Sequence, residues 1–446
     1  KMPIDFKLNG NIPNVAELGK IVGVPVPDIP MVKLNLAGGF DFNKITFKKS
    51  TLNVRGSDLT FTGSVDWNNK VPKIVANLSS NKLDLMEVFP FLYAPGPKWV
   101  RPKRDLNVFK DTPLYGDQMQ NYYLDIDVDV KNLIVYRELN VQNIDLTARL
   151  KDSHARLDAK FNFTGGDVNA ALEIDADSNG VLYARGAGVG RNVSVGDSLG
   201  MVREYDYISD LPVNFDFYLE GNGDNLSNFM GSLTGPLKIY TQAPGYAHSE
   251  LVSYMYGTDF LTSLRHNVRD LFTSKKKSDQ IKISCASVNL KLRDGVIETE
   301  NGVAFETNAI NIRLAGKVDF GRETMKVSLI TVPVRGIKLS LTGNVVNAIE
   351  VTGNLAEPDI KISGSAVAGK VASATGIGLL LAPFTGGLGL VAGAGVGWLA
   401  GDLIENWLAD DHPCRTALKN GAPLKRNDPE WLGISVEELT KRLIKE

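Results

Sequence analysis

Cysteine and histidine are scarce in this chain, with two cysteines and four histidines among 446 residues. So small a cysteine count excludes a scaffold stapled by many disulfides. Cys285 and Cys414 are left either as one bridge in an oxidising compartment or as two thiols in a reducing one. His154, His248, His266 and His412 stand in separate segments without ligand-like spacing, which argues against metal catalysis. Charge of one sign is missing too: 49 Lys and Arg face 51 Asp and Glu, a formal charge of -2. Without a basic field the chain has little to hold a phosphate backbone, so nucleic acid is not an expected partner. No basic stretch followed by an apolar one opens the first thirty residues, and Lys1 is read as the start of a trimmed chain.

What is present is alternation. At 43% hydrophobic and 22% charged residues the composition fits a mostly water-facing protein. Short runs of alternating apolar and polar residues recur from the start to about residue 362, the period of half-buried strands. Leu124, Ile126, Val128 and Val130 alternate with Asp125, Asp127 and Asp129. Leu157, Ala159, Phe161 and Phe163 alternate with Asp158, Lys160 and Asn162. Similar runs lie at Ile4 to Leu8, Ile144 to Leu150, Val168 to Ile174, Val213 to Leu219, Ile310 to Leu314 and Ile337 to Leu341. Gly165-Gly166, Asn222-Gly223, Asp294-Gly295 and Asn301-Gly302 are read as the turns of antiparallel hairpins.

Three stretches interrupt the pattern. Residues 86–118 hold Pro90, Pro95, Pro97, Pro102 and Pro113, which suits an irregular crossing between sheet sections. Residues 248–272 place Leu251, Met255, Leu261, Leu264, Val268 and Leu271 at helical spacing, predicting an amphipathic helix. Val371 to Gly401 carries no charge and shifts to Gly, Ala and Leu. As one helix it would run roughly 45 Å against a hydrocarbon core of ~30 Å, so a single straight span is not expected. Pro383 and Gly386-Gly387 divide it into a hairpin or cap, with Leu379, Leu380, Phe384 and Trp398 as candidate membrane contacts. The layout is therefore a β section over 1–86, a crossing over 87–118, a second β section over 119–362, a helical hairpin or cap over 363–410, and a tail with a short helix over 411–446.

Candidate chemistry is sparse. Asp125, Asp127 and Asp129 resemble the start of a calcium loop, but Val130 replaces the turn glycine and no glutamate stands at the twelfth position, so they read as a solvated strand face. Asp410, Asp411, His412 and Cys414 read as a polar loop, and Gly186, Gly188 and Gly190 as a turn rather than a phosphate cradle. Lys275, Lys276 and Lys277 read as a solvated loop or as contacts to anionic headgroups. No converging nucleophile and base are apparent, so no enzyme, cofactor or metal is expected.

About twenty-five strands at ~4.8 Å spacing would extend on the order of 120 Å in one ribbon. Its apolar face must be covered by a second sheet, closed into a barrel, or curled around something oily. Alternation alone does not choose between a sealed sandwich and an open trough.

A family resemblance adds to this reading. Over about residues 105–415 the chain resembles the AsmA family of bacterial envelope proteins. The likeness rests on Phe109-Lys-Asp-Thr-Pro-Leu114, the Asp-rich strand through Val130 and Leu133, Glu220-Gly-Asn-Gly223 and Gly231-Ser-Leu-Thr-Gly235. It is carried most specifically by Cys285, Asp294-Gly-Val296, Glu306-Thr307, Gly316-Lys-Val-Asp-Phe320, Glu323-Thr-Met-Lys-Val327, Gly353-Asn-Leu-Ala-Glu-Pro358 and Asp410-Asp-His-Pro-Cys414. The resemblance implies a mostly β fold, an elongated twisted antiparallel sheet curled into a groove with a few capping helices and the Gly-rich C-terminal segment. It implies a Gram-negative periplasmic location, a tether to the inner membrane through an N-terminal segment that this chain does not carry, and phospholipid traffic toward the outer membrane. The expected function is a non-enzymatic carrier of phospholipid acyl chains. The alternative is a scaffold or assembly factor for outer-membrane proteins, built on a sealed β-sandwich. Alternation assigns the inward, lipid-facing candidates: Leu124, Ile126, Val128, Ile144, Leu146, Phe161, Phe163, Leu172, Ile174, Phe215, Phe217, Ile310, Ile312, Leu314 and Phe320.

Overall fold

The computed structural model describes residues 4–14, 30–68, 70–88, 108–109, 111–136, 139–196, 208–248, 280–308, 310–334, 347–356, 358–363 and 410–444. Most of these lie in 21 strands of one large mixed sheet, with few helices. The amphipathic helix expected over 248–272 lies outside the described residues but for its first position, and the segment 371–401 with Leu379, Leu380, Phe384 and Trp398 lies wholly outside them. The chain divides into two units. Lys1–Lys103, Leu114–Gly188 and Leu443–Glu446 form the first; Arg104–Pro113 and Val189–Arg442 form the second.

In the first unit the strands are β1 (Ile4–Asn14), β2 (Pro30–Asp41), β3 (Lys44–Val54), β4 (Ser57–Asp66), β5 (Lys73–Ser80), β6 (Leu83–Asp84), β7 (Tyr123–Tyr136), β8 (Leu139–Lys151), β9 (His154–Phe163) and β10 (Gly166–Ala176). Successive strands from β1 to β5, and again from β7 to β10, pair antiparallel. Tight turns make this possible: between β9 and β10, Thr164 and Gly165 both take positive φ (44° and 81°), as a two-residue hairpin turn requires. The join between the two runs departs from the antiparallel expectation, because β5 and β7 pair in parallel from Lys73↔Tyr123 to Ser80↔Val130. A hairpin cannot link parallel neighbours, so the proline-containing stretch between them returns the chain to the end where β5 began.

In the second unit the strands are β11 (Leu182–Ser194, begun in the first), β12 (Ile208–Asp210), β13 (Pro212–Gly223), β14 (Gly235–Thr241), β15 (Gly245–His248), β16 (Gln280–Arg293), β17 (Val296–Thr307), β18 (Ile310–Asp319), β19 (Thr324–Pro333), β20 (Asn347–Asn354) and β21 (Pro358–Ser363). The ladder runs β13, β14, β16 and then in chain order to β21, all antiparallel. The described α-helices are α1 (Leu85–Val88), α2 (Leu226–Ser232), α3 (Pro413–Asn420) and α4 (Val436–Leu443).

Several glycine pairs play other parts than the sequence suggests. Asp294 and Gly295 do form the β16–β17 turn, at φ 48° and 70°. Asn301-Gly302 instead lies inside β17, at a bulge between Thr299 and Val303, where a Cβ on Gly302 would meet the Asn289 carbonyl. Asn222-Gly223 ends β13 and leads into α2, whose N-cap Asn225 accepts a 2.8 Å hydrogen bond from the Asn228 amide. Gly186, Gly188 and Gly190 belong to strand β11, not to a turn; a side chain at 190 would collide with the Phe215 ring.

The second unit holds a closed hydrophobic core. Val288, Leu290 and Leu292 of β16, Ile297 and Val303 of β17, and Met325, Val327 and Leu329 of β19 are buried together. Leu226 and Met230 of α2, with Val108 and Phe109, pack against that cluster. Glu323 fixes the latter pair by accepting from the Phe109 amide at 2.9 Å and from the Val108 amide, and the Phe109 ring meets Phe320 edge-on at 5.9 Å.

Candidate functional site

The register of the first unit assembles the alternating runs into continuous apolar rows. One row crosses nine strands through Ile4, Phe40, Ile45, Val65, Ile74, Leu124, Leu150, Ala155 and Ile174. The next crosses Phe6, Gly38, Phe47, Gly63, Ala76, Ile126, Ala148, Leu157 and Leu172 along the same strands. A third passes from Phe61 through Leu78, Val128 and Leu146 to Ala159 and Ala170. Because side chains alternate along each strand, these rows share one face, while Thr62, Asn77, Asp127, Thr147 and Asp158 form a row on the other. The rows also join aromatic rings: Phe47 lies edge-on to Phe6 at 6.1 Å and to Phe61 at 5.5 Å.

This apolar face is incompletely covered. Leu124, Ile126, Val128, Ile144, Leu146, Phe161, Phe163, Leu172 and Ile174 are all half-buried, and so are Ile74, Ala76 and Leu78. Val130, Leu150 and Val168 are buried among their neighbours. At the end of the first row Ile4 is 58% exposed, and Phe42 in the β2–β3 turn is 53% exposed, values that leave large apolar groups in water. Among the described helical elements, the one-turn α1 packs against β7 and the short 3-10 turn at Gly116–Asn121 against β8 and β10, while the Leu443 carbonyl at the end of α4 accepts from Arg156 of β9 at 2.8 Å.

A hollow of about 720 Å³ at the strand ends is lined by Lys70, Val71, Leu124 and Leu150 together with Lys73, Tyr123, Asp125, Arg149 and Lys151, which the register places on the polar face. Another of about 270 Å³ lies against the polar face, lined by Thr60, Thr62, Asn77, Ser79, Asp127, Asp129 and Asp145 together with Phe61, Leu78 and Val128. On the polar face, Arg149 bridges Asp125 at 2.9 Å and Asp127 at 2.6 Å, and this arginine accounts for two members of the aspartate series.

The candidates in the second unit stand differently. Ile312, Leu314 and Phe320 are 6%, 4% and 6% exposed inside the closed core, so they are packing residues that no ligand reaches without displacing their neighbours. Phe215 and Phe217 of β13 are half-buried and stacked at 6.3 Å. Behind them Asp216 is buried against Arg191 at 2.7 Å. Ile310 opens β18.

The polar face of β16 is occupied by the C-terminal segment, an arrangement sequence reasoning missed. Cys285 is disulfide-bonded to Cys414, 129 residues away, settling the two alternatives in favour of a bridge. The following alternate residues continue the attachment. Ser287 donates to the Cys414 carbonyl at 3.2 Å, Asn289 to the Leu418 carbonyl at 2.8 Å, Lys291 to the Ala422 carbonyl at 2.9 Å, and Arg293 grips Asp428 through two bonds of 2.6 and 2.7 Å. Those hydrogen bonds from Arg293 hold the Asp428 carboxyl down at about 2, against the opposing pull of burial. Asp410, in the loop before α3, pairs with Arg313 and accepts from Thr416, so this acidic group is a structural clasp. The sequence signal was the polar period of two from Cys285 to Arg293; nothing in it named the partner.

Among the described residues no group of three or more His, Cys, Asp or Glu is placed to hold a metal ion. No described helix is long and apolar enough to cross a membrane. No family model, curated protein or solved structure matches the chain.

Proposed function

We propose that the protein is a non-enzymatic carrier of phospholipid acyl chains, an AsmA-like groove protein of the periplasm working between inner and outer membranes. The first unit supplies the floor of the trough, with Leu124, Ile126, Val128, Leu146, Phe161 and Leu172 among the residues an acyl chain meets. The observation that carries this reading is the set of apolar rows running across up to nine strands while most of their side chains stay half-buried. A contiguous apolar patch larger than a few hundred Å² is uncommon on a soluble protein unless something binds it. Each methylene laid on such a face gains about 0.8 kcal/mol, so a sixteen-carbon chain gains on the order of 12 kcal/mol before ordering costs. The Cys285–Cys414 bridge suits an oxidising compartment such as the periplasm. The closed core of the second unit favours a second role for that part alone, a rigid scaffold of the kind an assembly factor would use.

Photo-crosslinking residues placed singly from position 124 to 130 on β7 test the carrier reading in cells. Lipid adducts should appear at 124, 126 and 128 and be absent at 125, 127 and 129. Uniform labelling, or none at the even positions, would remove the trough.

A further inference from the structure

One end of the first unit, where β2, β4 and β8 finish and β5 and β7 begin, holds aromatic rings out into water. Phe42 in the β2–β3 turn, Trp67 just after β4 and Tyr122 just before β7 are 53%, 40% and 46% exposed. The first two are fixed in place. The Trp67 amide donates to the Asn43 carbonyl at 2.9 Å, its indole Nε1–H donates to the Phe42 carbonyl at 3.1 Å, and Phe40 packs against both rings at 5.8 and 6.5 Å. The indole therefore has no unmet donor to leave stranded when water is removed around it. On the polar side of the same end, Lys73 lies beside Tyr123, Lys151 stands 5.7 Å over the Tyr123 ring, and Lys70 belongs to the β4–β5 loop. Among the described residues neither Lys70 nor Lys73 sits in an ion pair, and the contact of Lys151 with Asp152, at 3.8 Å, is exposed on both sides. From β3 to the β8–β9 turn, Lys44, Lys70, Lys73 and Lys151 face Asp66 and Asp152, since Arg149 is spent on Asp125 and Asp127. Asp41 and the His154–Asp175 pair flank this stretch. Asp66 is itself engaged, by two hydrogen bonds from Asn68 and by Lys44 at 3.9 Å.

We propose that this end docks, strand tips first, onto the headgroup layer of an anionic phospholipid bilayer. Phe42 and Trp67 enter the interface, and Lys70, Lys73 and Lys151 meet phosphates. The aromatic pair joins the apolar side of the sheet through Phe40, a member of the first apolar row, whereas Lys73 and Lys151 belong to the polar side. A planar surface met at the strand tips touches both sides at once, so the two sets do not have to share a face. Rings at headgroup level with lysines beside them are the composition of a membrane interface, where an aromatic body sits at the apolar boundary and an ammonium stays among the phosphates. Lysine is depleted where protein meets protein, which favours a bilayer over a protein as the partner. Docking at this end is independent of the acyl-chain reading, since it uses the strand tips and not the trough floor.

The test floats the full chain with vesicles of phosphatidylcholine alone and of phosphatidylcholine mixed with phosphatidylglycerol. The mixed vesicles should bind more tightly, by roughly fivefold for each lysine engaged, and raised salt should remove the difference. Lys70→Gln/Lys73→Gln/Lys151→Gln should bind both kinds of vesicle alike. Phe42→Ser/Trp67→Ser should lose about tenfold on either kind. Because Trp67 also braces the β2–β3 turn, Trp67→Phe supplies a gentler reading: brominated acyl chains should quench part of the tryptophan fluorescence of the unaltered chain, and this variant should bind vesicles yet lose most of that quenching. Quenching that persists in Trp67→Phe, or equal vesicle binding by every variant, overturns the docking. Failure of the unaltered chain to bind vesicles overturns it as well, and lipid adducts at positions 126 and 128 would then leave the acyl-chain reading standing. Loss of vesicle binding in Ile126→Asp, with the lysine and aromatic variants unaffected, would move the membrane contact to the trough floor and overturn it too.

Discussion

Strands of the two units carry the same alternating pattern but meet different surroundings. In the second unit the apolar side of β16 through β20 is sealed by α2 and by Val108 and Phe109, and the polar side of β16 is gripped by the C-terminal segment. In the first unit the equivalent side chains of β7 to β10 stay half-buried. Alternation specifies which side chains share a face, and a covering element decides whether that face becomes core or binding surface. Leu314 and Ile126 look alike in sequence, each apolar between polar neighbours. One is 4% exposed in a packed cluster and the other lies half-open among its row.

That contrast can be broken by substitution. Leu314→Asp should cost on the order of 5 kcal/mol, because a carboxylate would be trapped without a partner, and urea denaturation should find the second unit unfolded or nearly so. Opening the Cys285–Cys414 bridge should come next. For a separation of 129 residues the chain-entropy limit is about 5 kcal/mol, with measured values commonly nearer 2–4. Limited proteolysis after reduction should cut the chain around α3 first, and lipid binding by the first unit should persist.

A smaller effect is expected from the Arg293–Asp428 pair. The folded carboxyl sits at about 2 against an ordinary 3.8, so the folded protein binds this proton less readily than the unfolded chain. The pair's contribution, roughly 2 kcal/mol, is complete above about pH 4 and disappears as pH falls through about 2. Asp428→Asn should remove that acid-side slope from a stability–pH profile and leave the neutral range flat. Ile126→Asp should show the least change in stability, about 1 kcal/mol, since water reaches the site, while abolishing lipid capture there. If Ile126→Asp unfolds the protein as Leu314→Asp does, the two faces are not different after all.

Legibility in the sequence followed the range of the interaction. Strand runs and the Asp294-Gly295 turn were readable because side-chain alternation and positive φ are local properties. The bulge at Gly302 and the strand position of Gly190 were not, since each glycine is required by a distant backbone or ring, Asn289 or Phe215. Parallel pairing of β5 with β7 escaped for the same reason: alternation is identical in either direction. The candidate face was found in part. Ile126, Val128 and Leu146 stood out beside regular polar neighbours. Ile74, Ala76 and Leu78, which complete the same rows, did not, because Val75 blurs the alternation.

The sequence by itself determined the strand-rich class of this protein and which side chains share a face, because a period of two follows from the geometry of an extended chain. Tertiary structure decided which faces are covered. Joining Cys285 to Cys414, bringing α2 and Phe109 onto the second core, and leaving the first unit's rows half-open all depend on contacts between residues remote in the chain, which no local periodicity encodes.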